Sequence, residues 1–383
     1  EIRIDYGAWI LLDLQTWYVF EGLEEGQHIV EVKIVDKVGN EDTDSVTFIV
    51  DVTRPTLDIV SPENGSFINS NSVVVEWSGD DNIALSHYEV KMDDGSWINV
   101  SLNTSYSFKD LPDGKHIVCV KAVDKAGNTE IKTVMFYTDT TPPHVTITSP
   151  INGEYVPKSD INVTWEGYDN VAIDHYEIKM DEDRWIDVGK NTYYVFMRLS
   201  EGRHVVSVKI VDCVGQEYID TVEFWIDVTK PNIDILDPHE GEYIASTNIT
   251  VTWSGIDNLG IQCYKIRLDN GDWIDVGLND SYTFVGLEDG EHIVEVMALD
   301  KAGNNATDTV RFYVDTTSPE IHIIAPQSGE YLATSNVIVE FNFTDNIGLN
   351  RILVRVDDGD WIDVGLNDSY TFVGLEDGEH IVE

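Results

Sequence analysis

One spacing governs what this chain can fold into: the same residues return every 88 positions, with no insertion or deletion. His28, His116, His204, His292 and His380 share that period, as do Trp9, Trp97, Trp185, Trp273 and Trp361. Tyr18, Tyr106, Tyr194, Tyr282 and Tyr370 follow it too, and so do Pro55, Pro143, Pro231 and Pro319. A solenoid unit of roughly 20–50 residues needs its neighbours to bury a core, whereas a unit this long is the size of a small self-sufficient domain. The spacing therefore predicts a chain of separate modules.

The expected boundaries lie at the D-x-T-x-P segments Asp51 to Pro55, Asp139 to Pro143, Asp227 to Pro231 and Asp315 to Pro319. Residues 54–141, 142–229 and 230–317 are expected to be complete repeats. Residues 1–53 are expected to lack the first strands of a repeat, and 318–383 its last ones. Proline fixes φ, so each joint is expected to be stiff. Residues 271–295 and 359–383 are identical, which points to recent duplication and to a piece of a longer array.

Charge narrows the partners. With 70 acidic and 24 basic residues the formal net charge is −46, which argues against nucleic acid or an anionic membrane surface as ligand. The 42% hydrophobic content is too high for a disordered acidic tail. No apolar run approaches the ~20 residues of a membrane span, so no membrane insertion is expected of this segment. Cys119, Cys213 and Cys263 fall in three different repeats, which argues against a disulfide framework, and no CxxC or Cys/His cluster suggests zinc.

Within residues 54–141 the apolar residues alternate with period two at Val73, Val75, Trp77, then Tyr88, Val90, Met92, then Val118, Val120, Ala122. Turn signals such as Asn64-Gly65, Asp94-Gly95, Asp113-Gly114 and Gly127-Asn128 separate these runs. The pattern predicts strands near 56–60, 72–78, 86–92, 96–100, 104–109, 115–123 and 131–138. Seven short alternating strands fit a two-sheet sandwich with Val75, Trp77, Tyr88, Val90, Val118 and Val120 in its core.

Trp77, Tyr88, the Leu111-Pro112-Asp113-Gly114-x-His116 run and the Asp124–Asn128 motif together resemble fibronectin type III and immunoglobulin-like domains. The resemblance is closest to the tandem Ig-like repeats of bacterial and archaeal cell-surface proteins and covers essentially the whole chain. It implies an elongated all-β array of seven-stranded Ig-like sandwiches. His116 stands where fibronectin modules carry a corner tyrosine, and Phe341 replaces the tryptophan of Trp77, Trp165 and Trp253.

Three kinds of candidate site emerge. In an Ig-like topology the loop between the second and third strands, the last hairpin and the incoming linker share one pole. Asp51, Asp80, Asp81, Asn82, Asp124 and Asn128 are thus expected to converge at one joint. The equivalent sets are Asp139, Asp169, Asp212 and Asp227, Asp257, Asp300, with Asp315 and Asp345 at the last joint. Carboxylates with amide and carbonyl oxygens suit Ca²⁺; the competing reading is that they solvate and cap loops. Trp97, Trp185, Trp273 and Trp361, on short strands after turns, could stack on sugars or cap their own hydrophobic edge. N-x-S/T sequons occur at Asn64, Asn99, Asn103, Asn162, Asn248, Asn279, Asn305, Asn342 and Asn367, marking either an N-glycosylated exterior or ordinary turn composition.

One histidine per repeat cannot form a triad or a chelate, so it reads as a corner residue whose imidazole bonds a nearby carbonyl. No G-x-S-x-G, HExxH or phosphate-cradling loop is present. The expected function is a non-enzymatic extracellular stalk or adhesin-like segment of a prokaryotic, specifically archaeal, surface protein, spacing other domains and meeting an unidentified surface ligand or protein. The alternative is a carbohydrate-binding array accessory to a surface hydrolase.

Overall fold

A computed structural model describes residues 1–383, all of them strands, turns and loops with no helix. The Cα positions gather into two compact units. The first is Glu1–Ser149 with Asn162–Tyr194 and Val205–Val222, and the second is Pro150–Ile161 with Val195–His204 and Glu223–Glu383.

In the first unit, residues 56–138 show how a repeat is made. Its strands are β1 (Thr56–Ser61), β2 (Phe67–Ile68), β3 (Val73–Asp80), β4 (Leu85–Met92), β5 (Ile98–Asn99), β6 (Ser105–Phe108), β7 (Gly114–Asp124) and β8 (Thr129–Thr138). They form two sheets, ordered β1-β3-β6 and β2-β8-β7-β4-β5. Alternation along β3 and β7 buries every second residue, so Val73, Val75 and Trp77 of one sheet face Val118, Val120 and Ala122 of the other. All six core residues expected from the pattern are buried. Fully burying a side chain of this size contributes roughly 1.5–3 kcal/mol.

The sequence reading of seven strands missed β2. Two residues cannot display a period, and β2 runs parallel to β8, with Phe67 opposite Tyr137, so no hairpin turn announces it.

The second unit repeats the plan, with sheets Asn232–Asp237, Ile249–Ile256, Ser281–Phe284 and Glu242–Ile244, Asn305–Val314, Gly290–Asp300, Ile261–Leu268, Ile274–Gly277. In its last repeat Phe341 is buried in the tryptophan position, within a core that includes Val339, Ile352 and Val354.

One detail of the sheets prepares the joint. Where β7 pairs with β4 the register slips between Val123 and Asp124, so Asp124 lies opposite Leu85. The same slip places Asp300 opposite Ile261. A bulge re-aims the end of a strand, and here it directs a core-parity aspartate to the end of the sandwich.

Candidate functional site

Asp51 lies in the linker before β1, Asp81 in the turn between β3 and β4, and Asp124 at the end of β7. One carboxylate oxygen from each lies within 4.8 Å of those of the other two. The same holds for Asp139, Asp169 and Asp212, and for Asp227, Asp257 and Asp300. The topology thus brings together the three sets that the sequence places at one pole. Asp315 and Asp345 occupy the fourth pair of positions, and the sequence ends before a third position is reached.

The three aspartates of a set are held differently. Asp124 uses Oδ1 to accept the backbone N–H groups of Gly127 and Asn128, and Oδ2 to accept the Asn128 amide. Asp81 uses only Oδ2, which accepts from Ile83 and Ala84 and shapes the turn. Its Oδ1 is buried without a partner, as is Oδ1 of Asp169 and of Asp257. Both oxygens of Asp51 and of Asp227 are buried without a partner, and so is Oδ2 of Asp139.

Electrostatics follow from that arrangement. Burial, and then the neighbouring Asp169, push the Asp139 carboxyl up to about 6. Burial and then Asp257 push Asp227 up to about 6. Asp51 is raised for the same reasons, burial first and then Asp81 and Asp124. Asp124 goes the other way: burial acts upward, but the Asn128 side chain and the backbone donors outweigh it. No lysine or arginine pairs with any of the nine aspartates. Facing carboxylates in such a site are relieved by a proton or by a cation.

Two expected members lie elsewhere. Asp80 is exposed and caps the backbone N–H of Asp81. The Asn82 amide is drawn away to Glu25. Asn128 does reach the joint, but as a donor, to the carbonyls of Asp51 and Thr53 at 3.2 and 3.3 Å.

Glu25 belongs to a second device, which the sequence reading did not single out. Its carboxylate accepts from the Val52 N–H, the Thr53 hydroxyl and the Asn82 amide. At the next joint Asp113 accepts from Thr140, Thr141 and Asn170. Glu201 does so from Val228, Thr229 and Asn258, and Asp289 from Thr316, Thr317 and Asn346. One acid per repeat therefore grips both the linker and the following repeat. The signal available in sequence was an acid, a Thr and an Asn returning together every 88 residues.

Residues 100–176 match the bacterial Ig-like domain (group 3) family. The chain is an array of Ig-like repeats. Among solved structures, the fibronectin(III)-like modules of Clostridium thermocellum CbhA are 21% identical, with a TM-score of 0.34, covering 45% of this chain and 94% of that one. The tetra-tandem repeat from the extending region of a large adhesion protein is 20% identical, TM-score 0.31, covering 77% and 83%. The FN1–FN3 domains of chicken CNTN1 are 17% identical, TM-score 0.28, covering 68% and 98%. No curated protein matches the chain.

The other candidate residues sit on the bodies of these Ig-like repeats. Lys91 and Lys121 lie over the half-buried Trp97 ring, 5.3 and 4.6 Å from its centroid. Lys179 and Lys209 cover Trp185, Arg267 covers Trp273, and Arg355 covers Trp361. Each cation uses the face of the ring it lies over. All nine sequon asparagines are exposed. Each repeat histidine bonds a carbonyl four residues back, as expected of a corner: His116 to Pro112, His204 to Ser200 and His292 to Glu288, each at 2.9 Å. In His28, His116, His292 and His380 the other ring nitrogen meets an aspartate, a partner the sequence reading did not name.

Proposed function

We propose that this array is a non-catalytic spacer segment of a prokaryotic cell-surface protein, holding other parts of that protein away from the cell. The observation that carries the reading is the clasp. Glu25, Asp113, Glu201 and Asp289 each tie a linker and the next repeat with the same donors. A sequence that builds four joints alike constrains how successive modules follow one another, which is what a spacer requires. Ig-like repeats are a common non-catalytic scaffold, though a fold by itself leaves function to its sites.

The charge supports an exterior role. A net charge of −46 keeps similar neighbouring modules from associating. The exposed sequon asparagines are available to an N-glycosylation machinery where the host has one. No helix is long and apolar enough to cross a membrane.

Small-angle scattering of the 383-residue chain tests the proposal. An extended particle is expected, with Asp113→Ala and Asp289→Ala together broadening its distance distribution while the circular dichroism of the strands persists. A compact particle would overturn the spacer reading.

A further inference from the structure

We propose that each aspartate triad is a binding site for one hard divalent cation of the calcium class, giving three such sites in this chain. The acidic cluster alone would not establish this. The decisive observation is the state of the linker aspartates. Asp139 and Asp227 are both 0% exposed, yet beyond a weak approach of the Thr229 N–H to Asp227 neither oxygen of Asp227, nor Oδ2 of Asp139, has a hydrogen-bond partner. Leaving a buried charged oxygen unpartnered is costly, and here the cost recurs one repeat apart at Oδ2.

The surrounding contacts explain why no protein donor answers. Asp257 spends Oδ2 on the backbone of Leu259 and Gly260, which fixes the turn and leaves Oδ1 buried and unpartnered. Asp300 is held by Ala302 and Asn304. The Asn304 amide donates to the Asp227 backbone carbonyl at 2.9 Å and to Asp300 Oδ2, not to the Asp227 carboxylate. The fold orders three carboxylates from three separate segments and leaves the linker carboxylate short of donors.

The donor set selects the ion. All-oxygen, carboxylate-rich sites take calcium or magnesium rather than zinc or copper. The triads' mutual separations, all within 4.8 Å, fit one such ion touching all three residues. Magnesium dehydrates reluctantly and is usually held by one or two carboxylates with several waters, so three converging carboxylates favour calcium. With three protein carboxylates per ion, water would complete the shell. An ion here would join a linker to two loops of the following repeat, so it would act on the joint itself.

The test is calcium titration of the full chain after chelator treatment, followed by calorimetry and by equilibrium dialysis. Three calcium ions are expected to bind at or below about 1 mM, the weak end of extracellular calcium modules. Asp227→Asn, nearly isosteric and neutral, is expected to remove one site of three, and Asp139→Asn and Asp227→Asn together two of three. Asp94→Asn, at an exposed turn after β4, is expected to leave all three. Without calcium, Asp227→Asn should melt at or above the parent chain, because it removes a buried unpaired charge; with calcium it should melt below it. Retention of three sites in Asp227→Asn, or no calcium bound at that concentration, would overturn the proposal. A compact particle in scattering that still binds three ions would sink the spacer reading and leave the cation sites standing.

Discussion

Tyr88 donates its hydroxyl to the carbonyl of Gly79 at 2.9 Å, and a Cβ placed on Gly79 would fall 2.8 Å from that same hydroxyl. The two positions share one volume across β3 and β4. The pair recurs as Gly167 with Tyr176 and Gly255 with Tyr264. At the corresponding positions of the last repeat it becomes Phe343 with Ile352, the bulk having moved from one strand to the other.

That exchange makes a sharp prediction. Gly79→Ala should destabilise its repeat by about 1–3 kcal/mol, the usual range for overpacking, and Gly79→Phe by more. The double change Gly79→Phe with Tyr88→Ile should recover part of the loss. Denaturant unfolding of the full chain, followed by amide exchange at Val75 and Val90, reads the effect. A double variant no better than Gly79→Phe alone would show the two sites to be independent.

The tryptophan position offers a second natural contrast. Trp253 is buried with its indole N–H unpartnered, and Phe341 fills the same place in the next repeat. Trp253→Ala is expected to cost about 3–5 kcal/mol by cavity formation. Trp253→Phe should cost far less, since it also removes an unpaired polar group. Equal losses in thermal unfolding would contradict this.

The clasp predicts a local, pH-dependent effect. Burial acts upward on Asp113, but donation from Thr141, Asn170 and Thr140 outweighs it and holds the carboxyl at about 2. A depressed folded value means its stabilisation is present above the unfolded value of about 3.9. It is lost as pH falls through about 2. Amide protection at Thr140 should therefore survive at pH near 3 in the parent chain and vanish in Asp113→Ala, with core strands of both adjoining repeats unchanged. Loss of protection in those cores would mean that Asp113 supports the fold rather than the joint.

The repeat histidine responds at higher pH and with the opposite sign. His292 has Nδ1 2.7 Å from Asp269 and Nε2 2.9 Å from the Glu288 carbonyl. Two acceptors call for the doubly protonated ring. Burial lowers its pKa, yet the Glu288 carbonyl and Asp269 raise it above the ordinary value. The stabilisation is then complete below an unfolded value of about 6.5 and disappears as pH rises through the folded one. An NMR titration of the His292 ring should give a midpoint above about 6.5. In His292→Gln, the stability of residues 230–317 should lose that pH dependence.

Much of this was legible in the chain because the relevant signals are local. The 88-residue period, the alternation around Val75, Trp77, Val118 and Val120, and the turns between strands are readable without knowing where distant residues lie. The poles of the sandwich followed from topology, which is why Asp139, Asp169 and Asp212 could be grouped in advance. The clasp was not, because its acid, Thr and Asn share only the 88-residue period that every repeated residue shows. Asp113 stands 27 residues from Thr140 and 57 from Asn170, in a turn where aspartate is an ordinary residue.

Sequence alone determined the module length, the strand faces and the core, because a strand's side chains alternate and a repeated pattern announces itself. Only the tertiary structure decided which carboxylate oxygens face one another and which lack donors. It also decided that lysines and arginines lie over the tryptophan rings and that one acid per repeat holds the joint. Those outcomes depend on distances between segments remote in the chain, and on how many donors reach a given oxygen once the chain has folded around it.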